Sequence, residues 1–375
     1  MRVFLTFLLI LIFIIACLAT IFLYKKEKSI WSCVNWIIAV AALILGIWNQ
    51  WDNIETKQQD KQIRIEKLLN ESWDLLGGKE GEPNKPSTEF RRPLKRDEQN
   101  ITQAERKLDE AKIIDPDNPK VIKMEGDIFL SKGEYEKARE KFELSINKDP
   151  KYASAYGALA ECYAHLGKIK DAIETQKKAL KIQPKSAVLL QNLGISYLID
   201  RQLTSGIQML KESLDLKPDN PHALMYLGVA LFYEGDKKNG IKKVERAIEL
   251  DQKNALYHCH LGLLKYDNDQ INDAVKSFEA SVNIEPTYSL ALFNLGYCQY
   301  KLRKFQSAKE YFERVTYVDP TDPDAYKGLE LVLIEIGDVE EAMVAGRKAK
   351  ELGYDAKRTF KVGRQGGILS SLKKQ

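Results

Sequence analysis

The chain has 375 residues, with 57 lysines and arginines against 53 aspartates and glutamates, for a formal net charge of +4. So even a balance argues against a nucleic-acid binder, whose affinity rests on a concentrated basic surface. Five cysteines are too few and too scattered for a small disulfide-stapled secreted fold.

The first element is apolar. Residues 3–24 carry no charge, and at about 1.5 Å per residue a helix of this length reaches about 33 Å, enough to span a bilayer. A short charged stretch follows, Lys25-Lys26-Glu27-Lys28, and residues 30–51 are again uncharged. Trp31 and Trp36 sit towards one end of that second run and Trp48 and Trp51 at the other, as interfacial aromatic belts do. The pattern predicts a transmembrane hairpin over 1–51, with helices at about 3–24 and 30–51 and both ends on one side of the bilayer. A cleaved signal peptide has a shorter apolar core. Ile14-Ile15-Ala16-Cys17 resembles a lipoprotein processing box, but Leu18 to Tyr24 stays apolar after the cysteine, which does not suit a mature lipoprotein start. Three lysines lie in the hairpin loop, against Arg2, Lys57, Lys61, Arg64 and Lys67 on the other side, which orients both termini towards the cytoplasm. The expected location is therefore the plasma or inner membrane, with the rest of the chain cytoplasmic. The odd set of thiols at Cys162, Cys259 and Cys298 suits a reducing compartment.

Residues 52–97 read as a juxtamembrane helix and linker. Its helical part is polar, with scattered Ile54, Ile65, Leu68 and Leu75. A coiled-coil seam there would place Gln58, Lys61 and Ser72 at core positions, so the expected role is a solvated stalk. Gly77 to Lys95 is rich in glycine, proline and charge and reads as a loop.

From Pro119 onward a 34-residue pattern recurs seven times without insertion. Small residues stack at Gly126, Ala160, Gly194, Gly228, Gly262 and Gly296, with Glu330 breaking the column in the seventh copy. Twelve places on come Ala138, Ala172, Gly206, Gly240, Ala274, Ala308 and Ala342. Prolines follow at 150, 184, 218, 286 and 320, with Gln252 in the gap. A period of this length predicts stacked helix pairs. The small columns let two helices approach, leucines such as Leu193, Leu227, Leu261 and Leu295 fill between them, and each proline stops a second helix. The array spans 98–356: a partial unit at 98–118, carrying Ala104, Leu108, Ala111 and Pro116, then seven repeats over 119–356. Leu68 to Leu76 would supply the first helix of the partial unit. In the last repeat Glu330, Gly346 and Tyr354 replace the small, bulky and proline columns, as in an atypical terminal cap. Residues 357–375 form a basic tail, read either as a disordered end or as a contact for anionic lipid.

Leu190-x-x-Leu193-Gly194-x-x-Tyr197, Tyr156-x-x-Leu159-Ala160-x-x-Tyr163, and the Ala-x-x-x-Phe pairs 138/142, 274/278 and 308/312 resemble the tetratricopeptide repeat (TPR) family. The resemblance covers 119–356. It implies an all-α solenoid, a right-handed superhelix of helix-turn-helix repeats with first helices on the concave side, here behind the predicted transmembrane hairpin. It also implies a protein or peptide partner rather than chemistry. The carboxylate-clamp mode of chaperone-binding members does not carry over: Lys123 matches one clamp position, but Asp127 and Ala158 stand where asparagines are needed. An asparagine ladder like that of the TPR glycosyltransferases is interrupted at Tyr226 and His260, although Asn192 and Asn294 fit it.

No phosphate loop, nucleophile elbow or paired-cysteine motif is present. In His258-Cys259-His260 the two histidines are two residues apart and so do not share a helix face. The expectation is a non-enzyme with no cofactor, no metal and no nucleic-acid partner. Oligomeric state is left open. Positions 2, 5, 9 and 12 of each first helix share a face away from the small columns. In repeats three to six they read Val188, Gln191, Ile195, Leu198; His222, Met225, Val229, Phe232; Leu256, Cys259, Leu263, Tyr266; and Leu290, Phe293, Tyr297, Tyr300, with Tyr233 alongside. An apolar stripe this continuous marks an interaction surface. The expected function is a membrane-tethered adapter or scaffold that binds an apolar peptide or helix in this groove. The alternative is a non-catalytic accessory subunit that assembles a membrane-associated enzyme or an export or envelope machine.

Overall fold

A computed structural model describes residues 14, 30–76 and 98–354. Among them are sixteen α-helices and no strands. The first two are α1 (Ile30–Leu75) and α2 (Glu98–Ile114). Seven helix pairs follow: α3 (Pro119–Ser131) with α4 (Tyr135–Lys148), α5 (Ala153–His165) with α6 (Ile169–Ile182), α7 (Ala187–Ile199) with α8 (Leu203–Leu216), α9 (Pro221–Glu234) with α10 (Lys237–Leu250), α11 (Ala255–Asp267) with α12 (Ile271–Ile284), α13 (Ser289–Lys301) with α14 (Phe305–Val318), and α15 (Pro323–Ile336) with α16 (Val339–Glu351). Each helix packs on its partner and on the next pair. Each first helix also touches the first helix of the following pair, whereas second helices keep apart, so the first helices line the inner side of the curve.

Local chemistry explains the pairs. Side chains of Asn118, Ser186, Asn220, Asn254 and Asp322 accept backbone N–H bonds at the start of five first helices, satisfying donors the helix itself leaves open. Each second helix is followed by the proline column or its substitute, ending two residues before it in the first six pairs and three before Tyr354 in the seventh. The turn within each pair passes through a left-handed residue: glycine at 133, 167, 235 and 337, but Arg201, Asp269 and Arg303 in the other three. The small columns meet face to face. A methyl built on Gly228 would lie 2.6 Å from the Gly240 carbonyl oxygen, and one on Gly194 would lie 2.8 Å from Leu210. In the first, third and fifth pairs a serine hydroxyl ties the pair shut: Ser145, Ser213 and Ser281 each donate to the carbonyl that opens their partner helix, at 2.7 Å.

The seventh pair resolves its own irregularity. A methyl on Gly346 would lie 2.7 Å from Glu330 Oε1, so the large side chain on α15 occupies the space that the small residue on α16 leaves. Lys327 holds Glu330 at 2.6 Å.

The transmembrane hairpin is not found. Residues 3–24 lie outside the described residues except Ile14, and no helix among the described residues is long and apolar enough to cross a membrane. The helix expected over 30–51 does not stop at Trp51. It runs on to Leu75, because no glycine or proline stands between Trp51 and Leu75 to break it. The stalk reading fails over its last turns. Ile65, Leu68, Leu69 and Leu76 form one core with Ala104, Leu108 and Ala111 of α2 and Val121, Met124 and Ile128 of α3. Ser72, fully buried, donates its hydroxyl to the Ala104 carbonyl at 3.1 Å. Earlier on α1, Ile38, Leu43, Leu45 and Ile54 are exposed.

Candidate partner-binding surface

The inner face has two chemically distinct stretches. At its amino-terminal end, Lys123 and Asp127 lie one turn apart on α3 and form an ion pair at 2.7 Å, both side chains about 95% out of solvent. The indole of Trp73, from the last turns of α1, lies under the ammonium at 5.1 Å. Burial works against the Lys123 charge, but Asp127 outweighs it and holds the ammonium above its usual range. Glu161, one repeat on, takes the position of Asp127 and lies 4.0 Å from His165 of the same helix. His165 in turn stacks on Tyr135 at 4.7 Å, and burial lowers the imidazole pKa. Trp73 is the residue that sequence reasoning missed. It lies in the segment 68–76 expected to supply the partial unit's first helix, but no repeat column marks its position.

The second stretch is the stripe from α7 to α13, and here the expected exposed lining is corrected. Gln191, Ile195, Leu198, Met225, Val229, Phe232, Leu256, Cys259, Leu263, Phe293 and Tyr297 are all buried, between 0% and 7% exposed. Leu198 and Phe232 are consumed inside their own pairs, where methyls built on Gly206 and Gly240 would strike them at 2.5 and 2.9 Å. Phe293 packs edge-on against Phe312 of α14. Tyr297 meets Tyr266 of the preceding first helix at 6.0 Å. First helices of successive pairs close directly on one another, so positions 5 and 9 become core rather than lining. Val188, His222, Tyr233, Tyr266, Leu290 and Tyr300 remain half-buried at the edge of the stripe.

That edge is an aromatic and polar rim. The Tyr233 hydroxyl donates to the Asp267 carboxylate, and burial together with that carboxylate raises its pKa. His222 Nδ1 is paired with the Tyr257 hydroxyl. Tyr300 tilts against Phe305 at 5.9 Å. Below the rim, Gln191 accepts from Asn220 Nδ2 at 2.7 Å, and Asn294 donates to the Leu290 carbonyl.

The thiols and imidazoles do not form a reactive set. Burial pushes the Cys162 and Cys298 thiols up to about 12 and raises Cys259 further, which keeps them protonated and unreactive. Burial pushes the His260 imidazole down to about 4. No group of three or more metal-ligating side chains comes together among the described residues.

Comparison with known proteins agrees with this architecture. Three tetratricopeptide repeat family models match, at residues 129–193, 192–255 and 289–322. Tetratricopeptide repeats are therefore present in this chain. No curated protein matches it. Among solved structures, a chain of the APC/C hetero-tetramer Cut9–Hcn1 is similar at a TM-score of 0.56 and 16% identity, over 73% of this chain and 52% of that one. This chain thus spans about half the length of that relative. PilF of Pseudomonas aeruginosa is similar at a TM-score of 0.48 and 19% identity, over 55% of this chain and 93% of its own. MamA is similar at 0.39 and 22%, over 43% and 94%. The likeness to the Cut9–Hcn1 chain is one of fold: an all-α, TPR-type scaffold of a kind consistent with protein–protein interaction.

Proposed function

We propose that this protein is a membrane-tethered, non-catalytic adapter that holds a segment of a partner protein against the inner face of its solenoid. The observation that carries the reading is α1. One unbroken helix leads out of an uncharged 22-residue run, 30–51, whose described apolar side chains have little protein cover, into the first core of the array at Ile65. At 1.5 Å per residue, Trp51 and Ile65 are about 21 Å apart along the axis, so α1 would hold the array at a set distance from an anchor within residues 1–51. The lysine distribution supports a cytoplasmic array at the plasma or inner membrane. Partner contact is assigned to the half-buried aromatic rim at Tyr233, Tyr266 and Tyr300. These groups combine apolar area with hydrogen-bonding tips, as peptide-binding surfaces do.

The anchor is tested by alkaline carbonate, which should leave the full chain in the membrane fraction while a chain lacking 1–51 is released. Protease added outside intact spheroplasts should spare the array, and digestion would reverse the orientation. The rim is tested by Tyr266→Ser with Tyr300→Ser, both half-buried against the edge of the core, with helicity and melting measured first. Phe232 is unsuitable because it is core. Retained helicity and melting with loss of partner capture is the expected outcome, and undiminished capture by the folded variant would move the partner elsewhere. Co-purification distinguishes the adapter from a fixed accessory subunit, which would return a stoichiometric companion.

A further inference from the structure

Among the described residues no further helix packs on the seventh pair. In the internal repeats, the end of the first helix and the start of the second receive the first helix of the next repeat. Tyr135, first residue of α4, stacks on His165 of α5 and its carbonyl accepts from Cys162 Sγ, and Tyr266 of α11 meets Tyr297 of α13. In two of the columns that make this face Leu198, Phe232, Ile173 and Ile207 are all under 5% exposed, and in the third Ile169, Leu203, Ile271 and Phe305 are half-buried. The seventh repeat puts Ile334, Val339 and Met343 into the same columns, and they are 55%, 58% and 61% exposed. Val344, in a column that is polar in all six preceding repeats, adds 57%. A contiguous exposed apolar surface of this kind marks a docking site.

We infer that the chain's own last 21 residues, Asp355 to Gln375, dock on this face and complete the seventh repeat's packing. Three observations choose this occupant. The segment starts where an eighth first helix would start. Gly353 turns the backbone in the left-handed region, the Tyr354 N–H bonds back to the Ala349 carbonyl, and the Tyr354 ring lies over Lys327 of α15, so the chain leaves on the first-helix side. Its composition matches the face: Phe360, Val362, Ile368, Leu369 and Leu372 supply apolar side chains. Its charge is complementary, with six lysines and arginines and one aspartate, to the patch's Glu335, Asp338 and Glu340 and to Glu341, which already pairs with Lys309 at 2.9 Å. The first-helix signature is absent there, and Gly363, Gly366 and Gly367 would weaken a helix, so the docked form is a short covering segment rather than an eighth repeat.

A photo-crosslinking amino acid at Met343 in the full chain, in its native membrane, tests the docking, with the same residue at exposed Lys242 as control. Met343 is mostly exposed, so the substitution spares folding. The expected result is a cross-link within one chain between position 343 and the 355–375 segment, missing at 242 and lost when Leu369 and Leu372 become serine. A cross-link from 343 to a second copy or to another protein would overturn the assignment, as would a tail cross-link that the serine variant leaves intact or no tail cross-link at all. Repetition in anionic and neutral vesicles separates docking from a tail held by lipid: docking gives the cross-link in both, and a cross-link present in neutral vesicles but lost in anionic ones would overturn it in favour of the membrane.

Discussion

The amino-terminal and central parts of the inner face fill the same two columns with opposite chemistry. On α3 and α5 those columns hold Lys123, Asp127 and Glu161, and on α9, α11 and α13 they hold Met225, Val229, Cys259, Leu263, Phe293 and Tyr297, with the members of both sets buried. The scaffold therefore does not dictate what fills the seam between successive first helices. It requires only that the seam be filled. An ion pair there gains little over an apolar filling of the same volume, but losing one partner strands a charge. The polar seam is thus fragile to single changes and tolerant of paired ones, whereas the apolar seam responds to lost volume.

The largest expected effect follows from that contrast. Asp127→Ala leaves Lys123 buried without its carboxylate and should destabilise the fold by about 3–5 kcal/mol, while Lys123→Met with Asp127→Leu should be near neutral. Denaturant unfolding of both variants checks this, and equal losses would mean that the pair is not behaving as a buried ion pair. Next comes acid response in the apolar part. His260 is held neutral with its pKa depressed from 6.5 to about 4 by burial. Its unfolded form therefore binds a proton that the folded form does not, and stability present above about pH 6.5 is lost as pH falls towards about 4, by roughly 3 kcal/mol. In His260→Asn that stretch of the stability–pH curve should be shallower, and an unchanged slope would assign the acid limb to other groups.

Backbone approach in the central pairs gives a smaller effect. Gly228→Leu must displace the Gly240 carbonyl and Val244 and should destabilise by about 1–3 kcal/mol, whereas Lys242→Leu on the exposed face should change stability by less than about 0.5 kcal/mol. Thermal melts of the two variants decide whether the pairs touch where the small columns say they do. The smallest effect is a gain. Arg303 sits at φ 60, in the left-handed region that side chains disfavour, so Arg303→Gly should stabilise by about 1 kcal/mol. No gain would indicate that the Arg303 stack over Phe305 offsets the strain.

The 34-residue period was enough to establish the helix pairs, their turns and their terminating prolines. Those features depend on residues close in sequence, and small residues recurring at Gly228 and Gly240 have one simple use. The same pattern located the inner stripe but misjudged its exposure. Whether Met225 or Leu263 faces a groove or a neighbour depends on how tightly successive first helices close. That closure sums small rotations over many pairs, and no local window encodes it. Three further features were legible only in part. Glu330 fills the gap over Gly346, two exceptions that look like defects until they are seen in contact. Trp73 reaches Lys123 across a linker of some twenty residues. Leu68 to Leu76 were legible as a helix for the partial unit, but not that this helix runs unbroken from residue 30, because the turns between are polar and exposed. By itself the sequence determined an all-α repeat array of helix pairs. Tertiary packing alone decided which of its apolar side chains are core and which stay partly exposed at the rim.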